Sequence, residues 1–481
     1  MLNQVSDFVK TITKLSTEDK TELKTILKYS LITKIGMLLL VFFLYTEDMS
    51  STRAPAALRA NFNPKGYWWL DRLGGLMEYD GVHFFKGFLH GYNSINHFAF
   101  YPGYPYLLKF IDTITSFVPF YHSKLSQLGL GILRFLLHGF AINLVLHLAN
   151  ILLLFKLAKL KGLPMSQIRF FMMIFAVNGT SLFHVVLYSE TLYLFITLLC
   201  MVYLEQRYFS KKLSVADLPW IEFIVLSFVW SLSGWVRSLG MLSAAYLCYP
   251  ILLEVIWNWR YKGSTVKILS YIMKILTCSV LFIIPTLSLH LYTRHKFCIK
   301  SQNDPNFKVP GFCKSPFGFF YGYIQEEFWG VRFLDWVKNP SHADTLVLVA
   351  NSLPILTIWL WKELSSNLKG YLTLGIPAYL NTRDQHSRLA RLVPEVCIYI
   401  LLYRGFYMYA NLGSIERFWT VHPHWYFLIA EFQSYANKKY EKSDGRVARI
   451  WWALAKWITV FSALFRIGPT ALFYACRIIP I

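Results

Sequence analysis

Apolar residues in this chain gather into long runs separated by short polar, mostly basic stretches. A helix that crosses a bilayer needs about 20 mostly apolar residues. Runs approaching or exceeding that length lie at roughly 29–46, 128–155, 168–187, 190–206, 219–236, 239–258, 268–292, 343–362, 392–411, 418–434 and 450–472. The pattern predicts an all-α polytopic membrane protein with about 11 transmembrane helices. The run 128–155 can hold a tilted helix, whereas polar residues interrupt or crowd the last two runs. Residues 1–28 are polar and rich in lysine, with Val5, Phe8, Val9, Ile12 and Leu15 at helical spacing. They read as a cytoplasmic amphipathic segment on the membrane surface, and the run that follows as a retained anchor. Residues 29–475 read as one transmembrane unit.

The basic stretches test this layout. With the N-terminus in the cytoplasm, alternation puts Lys156/Lys159/Lys161, Arg207/Lys211/Lys212, Arg260/Lys262/Lys267 and Arg383/Arg388/Arg391 on the same side as Lys10, Lys14, Lys20, Lys24 and Lys28. Lys438, Lys439, Lys442, Arg446 and Arg449 follow suit. The net charge of +21 therefore reads as a topology signal rather than a nucleic-acid surface. Composition agrees, since 16% charged and 55% hydrophobic residues suit a bilayer better than water.

The opposite face collects two large loops, 47–127 and 293–342, and the turns at Ser189 and at Arg237–Ser238. A channel or simple carrier needs less, and no repeat or inverted symmetry of the transporter kind is evident. Residues 67–90 combine Trp68, Trp69, Phe84, Phe85 and Phe88 with Asp71, Arg72, Glu78, Asp80 and Lys86. That mixture predicts amphipathic helices in the interface plane. In the next stretch, 97–105, Pro102, Gly103 and Pro105 predict a rigid turn rather than a regular helix. Cys298 and Cys313 can bridge if their loop faces an oxidising lumen. Cys200, Cys248, Cys278, Cys397 and Cys476 lie in or beside apolar runs and read as packing residues.

Polar groups at the membrane carry the candidate chemistry. Asp80 is either a solvated charge on a polar helix face or a general base at the membrane surface. Glu78 and Asp80 also have a spacing that can hold a divalent metal in sugar transfer, though such pairs are common by chance. Glu190 either complements the dipole of a helix capped by Ser189 or serves a substrate, and the two roles are compatible. Arg237 either snorkels or grips a phosphate with its forked guanidinium. His83, His90 and His97 fit no zinc signature, and His422 and His424 are as weak a signal, so no metal site is read. Asn178-Gly179-Thr180 matches a glycosylation sequon but falls inside a predicted span. Nucleophile elbow, P-loop, dinucleotide and kinase motifs are missing.

These residues carry a resemblance. Tyr79-Asp80-x-x-His83-Phe84, His90-Gly91-Tyr92 and Phe98-Ala99-Phe100-Tyr101-Pro102-Gly103-Tyr104-Pro105 together resemble the first luminal loop of the PIG-V family. Tyr188-Ser189-Glu190, Arg237-Ser238-x-Gly240, Tyr323-Ile324-Gln325 and Trp329-Gly330-Val331-Arg332-Phe333-Leu334 extend it in order to about residue 335. Tyr79 stands where the family usually has Trp, and Arg332 where it usually has Gly. The segment after 365 matches poorly.

The resemblance implies a GT-C type glycosyltransferase of the endoplasmic reticulum membrane with a luminal active site. It implies dolichyl-phosphate-mannose as donor, a glycosylphosphatidylinositol (GPI) precursor with one mannose as acceptor, and an α-1,6 product. A small membrane helper subunit is a further expected partner; no cofactor or metal is expected. Asp80 would be the base. Arg237, and less directly His90, would face the donor phosphate, with Glu190 and Gln325 orienting sugar hydroxyls. The competing readings are a transferase using another dolichyl-phosphate sugar or acceptor, a transporter and a scaffold subunit. A transporter predicts charges near mid-span, for which Lys34 is poorly placed; a scaffold predicts that replacing Asp80 is harmless.

Overall fold

The structure, a computed structural model, describes residues 16–44, 72–73, 80–117, 131–177, 186–299, 309–314, 318–329, 353–384, 388–409 and 422–441, with 445–446, 449–450 and 453. Among these residues there is no strand. The helices are α1 (Thr17–Leu44), α2 (Asp80–His90), α3 (Gly103–Thr115), α4 (Gly131–Leu160), α5 (Met165–Val177), α6 (Glu190–Leu204) and α7 (Trp220–Val236). They continue as α8 (Ala245–Arg260), α9 (Thr265–Arg294), α10 (Phe320–Trp329), α11 (Leu353–Leu372), α12 (Ile376–Thr382), α13 (Arg388–Tyr409) and α14 (Pro423–Glu441).

Local sequence explains several of the boundaries. α4 stops where Gly162 takes φ +72° and Leu163 N–H donates to Ala158 O at 3.1 Å, with Pro164 just beyond. α7 begins behind Pro219, which preorganises the entry, and α6 runs on into a π turn, Glu205–Phe209, before the basic loop.

Helices α4 to α9 form the centre, where Phe171, Phe175, Leu198, Phe223 and Trp230 are fully buried. α14 closes one side, setting Tyr426 against Phe175 and Phe427 against Phe171. α9 turns Leu269, Leu276, Val280, Ile283 and Leu287 outward. An apolar outer face of that length is what a lipid-solvated helix presents.

Four stretches among the described residues are long and apolar enough to cross a membrane: Leu133–Leu160, Glu190–Phe209, Ser238–Arg260 and Thr265–Ile299. Met165–Val177 and Trp220–Val236 are apolar but shorter. The remaining expected spans are less clear-cut. α1, α11, α13 and α14 carry charges within them, such as Lys34, Glu363, Glu395 and Glu431, and the run 450–472 lies almost wholly outside the described residues. The expected break near residue 28 falls inside α1, which is continuous. Within α1 the ammonium of Lys34 is buried and donates to Ala176 O on α5 at 3.1 Å, and Ser30 shares a 2.7 Å hydrogen bond with His147 of α4.

The first large loop corrects one expectation. α3 begins at Gly103, so a regular helix does start inside the Pro-Gly-x-Pro stretch. Pro105 sits in the first helical turn, where an N–H has no intrahelical acceptor and its loss costs nothing. Only the preceding 3₁₀ turn, Ile95–Ala99, has the expected irregular form. α2 confirms an amphipathic helix in this loop: Phe84, Phe85 and Phe88 are buried while His83, Lys86 and His90 keep some exposure.

Candidate active site

The first loop is built as a folded platform. Phe85 and Phe88 of α2 both meet Phe135 of α4 at 5.1 Å, and Phe84 meets Tyr104 of α3 at 5.3 Å. Gly91 ends α2 with φ +70°, a left-handed conformation that glycine adopts without penalty. Tyr92 then turns inward, and its hydroxyl donates to Phe100 O at 2.5 Å. Pro102 and Pro105 are buried. A Cβ on Gly103 would lie 2.8 Å from the carbonyl oxygen of Trp235, so the start of α3 rests directly on the last turn of α7. The motif residues Gly91, Tyr92, Pro102, Gly103 and Pro105 thus join the loop to the helix that delivers Arg237. Asp80 is the first residue of α2, three positions before His83. Tyr79 and Glu78 lie outside the described residues.

Arg237 follows α7 in extended conformation, its N–H bonded to Ser233 O at 2.9 Å. The chain then reverses into a 3₁₀ helix, Ser238–Ala244, with Gly240 N–H donating to Arg237 O at 3.0 Å. Any side chain on Gly240 would collide with the backbone of Ser233 and Gly234, which accounts for the glycine of Arg237-Ser238-x-Gly240.

Glu190 opens α6 and is fully buried. The chain on both sides of it is pinned from α4: Asn143 donates to Val186 O at 2.5 Å and to Tyr188 O at 3.1 Å, and Asn150 donates to Thr191 O at 3.0 Å. Ser189 occupies the N-cap position, yet its side chain makes no capping hydrogen bond. Two polar residues far apart in the sequence meet here: Arg237 Nη1 lies 2.6 Å from Glu190 Oε1, and the arginine side chain is only 10% exposed. Burial makes this pair mutually dependent, because either charge alone would be uncompensated.

The second loop packs on the first. Tyr92, Phe98 and Tyr101 share a core with Phe297, Phe312, Phe320 and Ile324, and Cys298 and Cys313 are bridged, their Cα atoms 5.5 Å apart. Gln325 lies half-buried on α10 beside Ile324. His90, at the end of α2, is exposed.

The sequence reading gave little weight to the imidazoles. His83 stacks on Phe100 at 4.2 Å and meets His97 edge-on at 5.3 Å. Burial, then the charges of His97 and Lys86, pushes His83 down to about 3. Burial, then Lys86 and Lys296, pushes His97 down to about 4. Both rings are therefore neutral at physiological pH. No group of three or more metal-ligating side chains converges among the described residues. The neighbourhood of Lys86, Lys296 and His97 was hidden in the sequence because about 200 residues separate α2 from the turn carrying Lys296.

The platform, the buried pair and the bridged loop coincide with the motifs of a known family. The family model described as Mannosyltransferase (PIG-V) matches residues 23–471. The chain belongs to that family. It is a glycosyltransferase of the mannosyltransferase class. The match reaches well past residue 365, beyond the last of the motifs given above. Similar proteins include the GPI alpha-1,6-mannosyltransferase 2 of Cricetulus griseus, 25% identical over 367 residues, covering 71% of this chain and 68% of the relative. The Homo sapiens protein of that name is 24% identical over 375 residues, 71% of this chain and 69% of its own. The Mus musculus protein is 24% identical over 359 residues, 68% of this chain and 66% of its own. No solved structure matches the chain.

Proposed function

We propose that this mannosyltransferase transfers the second mannose of a GPI-anchor precursor, in α-1,6 linkage, from dolichyl-phosphate-mannose on the luminal side of the endoplasmic reticulum. The observation that carries the reading is the seating of Gly103 on Trp235, which joins the loop bearing Asp80 to the buried Glu190–Arg237 pair. The names of the relatives support the acceptor class and linkage. The disulfide suits an oxidising lumen, and the basic loops suit a cytoplasmic N-terminus. The fold would be of GT-C type, with the less apolar helices completing a set of about 11 spans.

The reaction is a single inverting displacement. The donor linkage is β and the product linkage α. Asp80 takes the proton of the acceptor 6-hydroxyl as that oxygen attacks C1 of mannose. The C1–O bond to phosphate breaks, and dolichyl phosphate departs with the bonding electrons. Gln325, on α10, orients sugar hydroxyls in this reading. Glu190 and Arg237, held by each other, brace the site. Positioning of two lipid-anchored substrates supplies much of the acceleration.

The test is mannose transfer to a one-mannose GPI precursor in membranes holding the native chain or Asp80→Asn at matched expression. The native chain is expected to transfer mannose and the variant to lose about 100-fold or more. Transfer that survives the substitution removes Asp80 as base. No transfer by the native chain removes the acceptor assignment, or shows that a helper subunit is required if adding one restores it.

A further inference from the structure

A departing phosphate needs cations that the protein has not already neutralised. Arg237 is committed to Glu190 at 2.6 Å in a nearly closed site. A different cation meets the requirement. Lys86 projects from α2, keeps partial exposure, and forms no ion pair or hydrogen bond among the described residues.

Lys296 arrives from the π turn that ends α9. Its ammonium donates to Tyr92 O at 2.5 Å and to Asn93 Oδ1 at 3.2 Å, which fixes it beside the end of α2. The charges of both lysines act on His97, and that of Lys86 acts also on His83. The two imidazoles stand 5.3 Å apart, and Nδ1 of each is buried without a hydrogen-bond partner among the described residues. Buried polar atoms left this way need an explanation, of which a bound partner is one. Each neutral ring also has one N–H to give. The result is two ammonium groups and two imidazoles converging from α2, the 3₁₀ turn and the end of α9.

Asp80 and Lys86 belong to the same helix, six positions and about 9 Å apart along its axis.

We infer that Lys86 and Lys296, backed by His97 and His83, clamp a phosphate ester headgroup, that of the lipid-linked sugar donor, while Arg237 braces the site without touching it. This rests on the donor assigned above. The clamp meets one negative charge in the phosphodiester donor and a second as C1–O cleavage makes a monoester. Charge-assisted hydrogen bonds therefore strengthen along the reaction.

The test uses the purified full-length chain in detergent, with dolichyl phosphate, dolichol and phosphatidic acid as separate probes. The native chain is expected to bind dolichyl phosphate about tenfold more tightly than dolichol. Lys86→Gln is expected to erase most of that preference, to leave dolichol binding and melting temperature unchanged, and to raise KM for the mannosyl donor and lower kcat without changing acceptor KM. Lys86→Arg is expected to retain the preference. An undiminished preference in Lys86→Gln overturns the clamp, and phosphatidic acid competing as well as dolichyl phosphate overturns the donor as its occupant. The two readings fail separately. Mannose transfer with native donor KM and native kcat in Lys86→Gln discards the clamp and keeps the reaction. A Lys86-dependent phosphate preference without mannose transfer by the native chain keeps the clamp and discards the reaction.

Discussion

Glu190 begins α6 and Glu205 follows its last residue, and the two carboxylates live differently. Glu190 is sealed, with the Arg237 guanidinium at 2.6 Å. Glu205 is also buried, but Arg391 at 3.2 Å and Lys161 at 3.9 Å share it, and these cations keep 28% and 23% exposure. The first arrangement is a single fixed geometry cut off from water. The second is a distributed network that water can enter. A membrane enzyme thus concentrates geometric demand at the end where chemistry is proposed and lets the basic end absorb change. Lysine and arginine at that basic end need only sit near a carboxylate and the interface, whereas Arg237 must occupy one position.

The comparison breaks most sharply at Glu190. Glu190→Gln is expected to cost about 3–5 kcal/mol, because it leaves the Arg237 charge buried and uncompensated. Thermal unfolding in detergent measures it, and Glu190→Gln with Arg237→Gln should recover part of the loss. Additive losses in the double variant would mean the two side chains act independently. Gly103→Ala ranks next, at about 1–3 kcal/mol, because a backbone oxygen 2.8 Å from the new methyl cannot swing aside. It should lower mannose transfer along with melting temperature; an unchanged protein would show that α3 and α7 are not seated on each other. Glu205→Gln should change stability least, by about 1 kcal/mol or less, since its two cations can turn to water. A loss there as large as at Glu190 would erase the distinction between the ends.

Much of this arrangement could be read from the chain, and the exceptions share a cause. The positions of α6, α7, α8, α9 and α13 followed from apolar length, with boundaries displaced by only a few residues. Asp80, Glu190 and Arg237 stood out because charge beside an apolar run requires a reason. Their grouping did not. Nothing local in Tyr188-Ser189-Glu190 signals that the carboxylate will meet an arginine 47 positions later, because two helix ends meet only through tertiary packing. α3 was missed because two prolines and a glycine outweighed its helical remainder, although its first turn tolerates them. Asn143 and Asn150 lie within a long apolar run and carry no local signal; their role in holding the chain around Glu190 exists only once α4 lies beside α6. Lys86 and Lys296 were unremarkable for the same reason.

The buried lysine of α1 bears on how the protein is made. Lys34 has its acceptor at Ala176, so 142 residues must be synthesised after the lysine before that acceptor exists. A lysine within a lone spanning helix disfavours bilayer insertion, by about 2.5–3.5 kcal/mol at the helix centre and less toward its ends. On the ribosome, then, α1 is an incomplete part until α5 has emerged. Its first secure moment comes when α5 arrives, and until then it depends on the insertion machinery to shelter a charge that the finished protein hides.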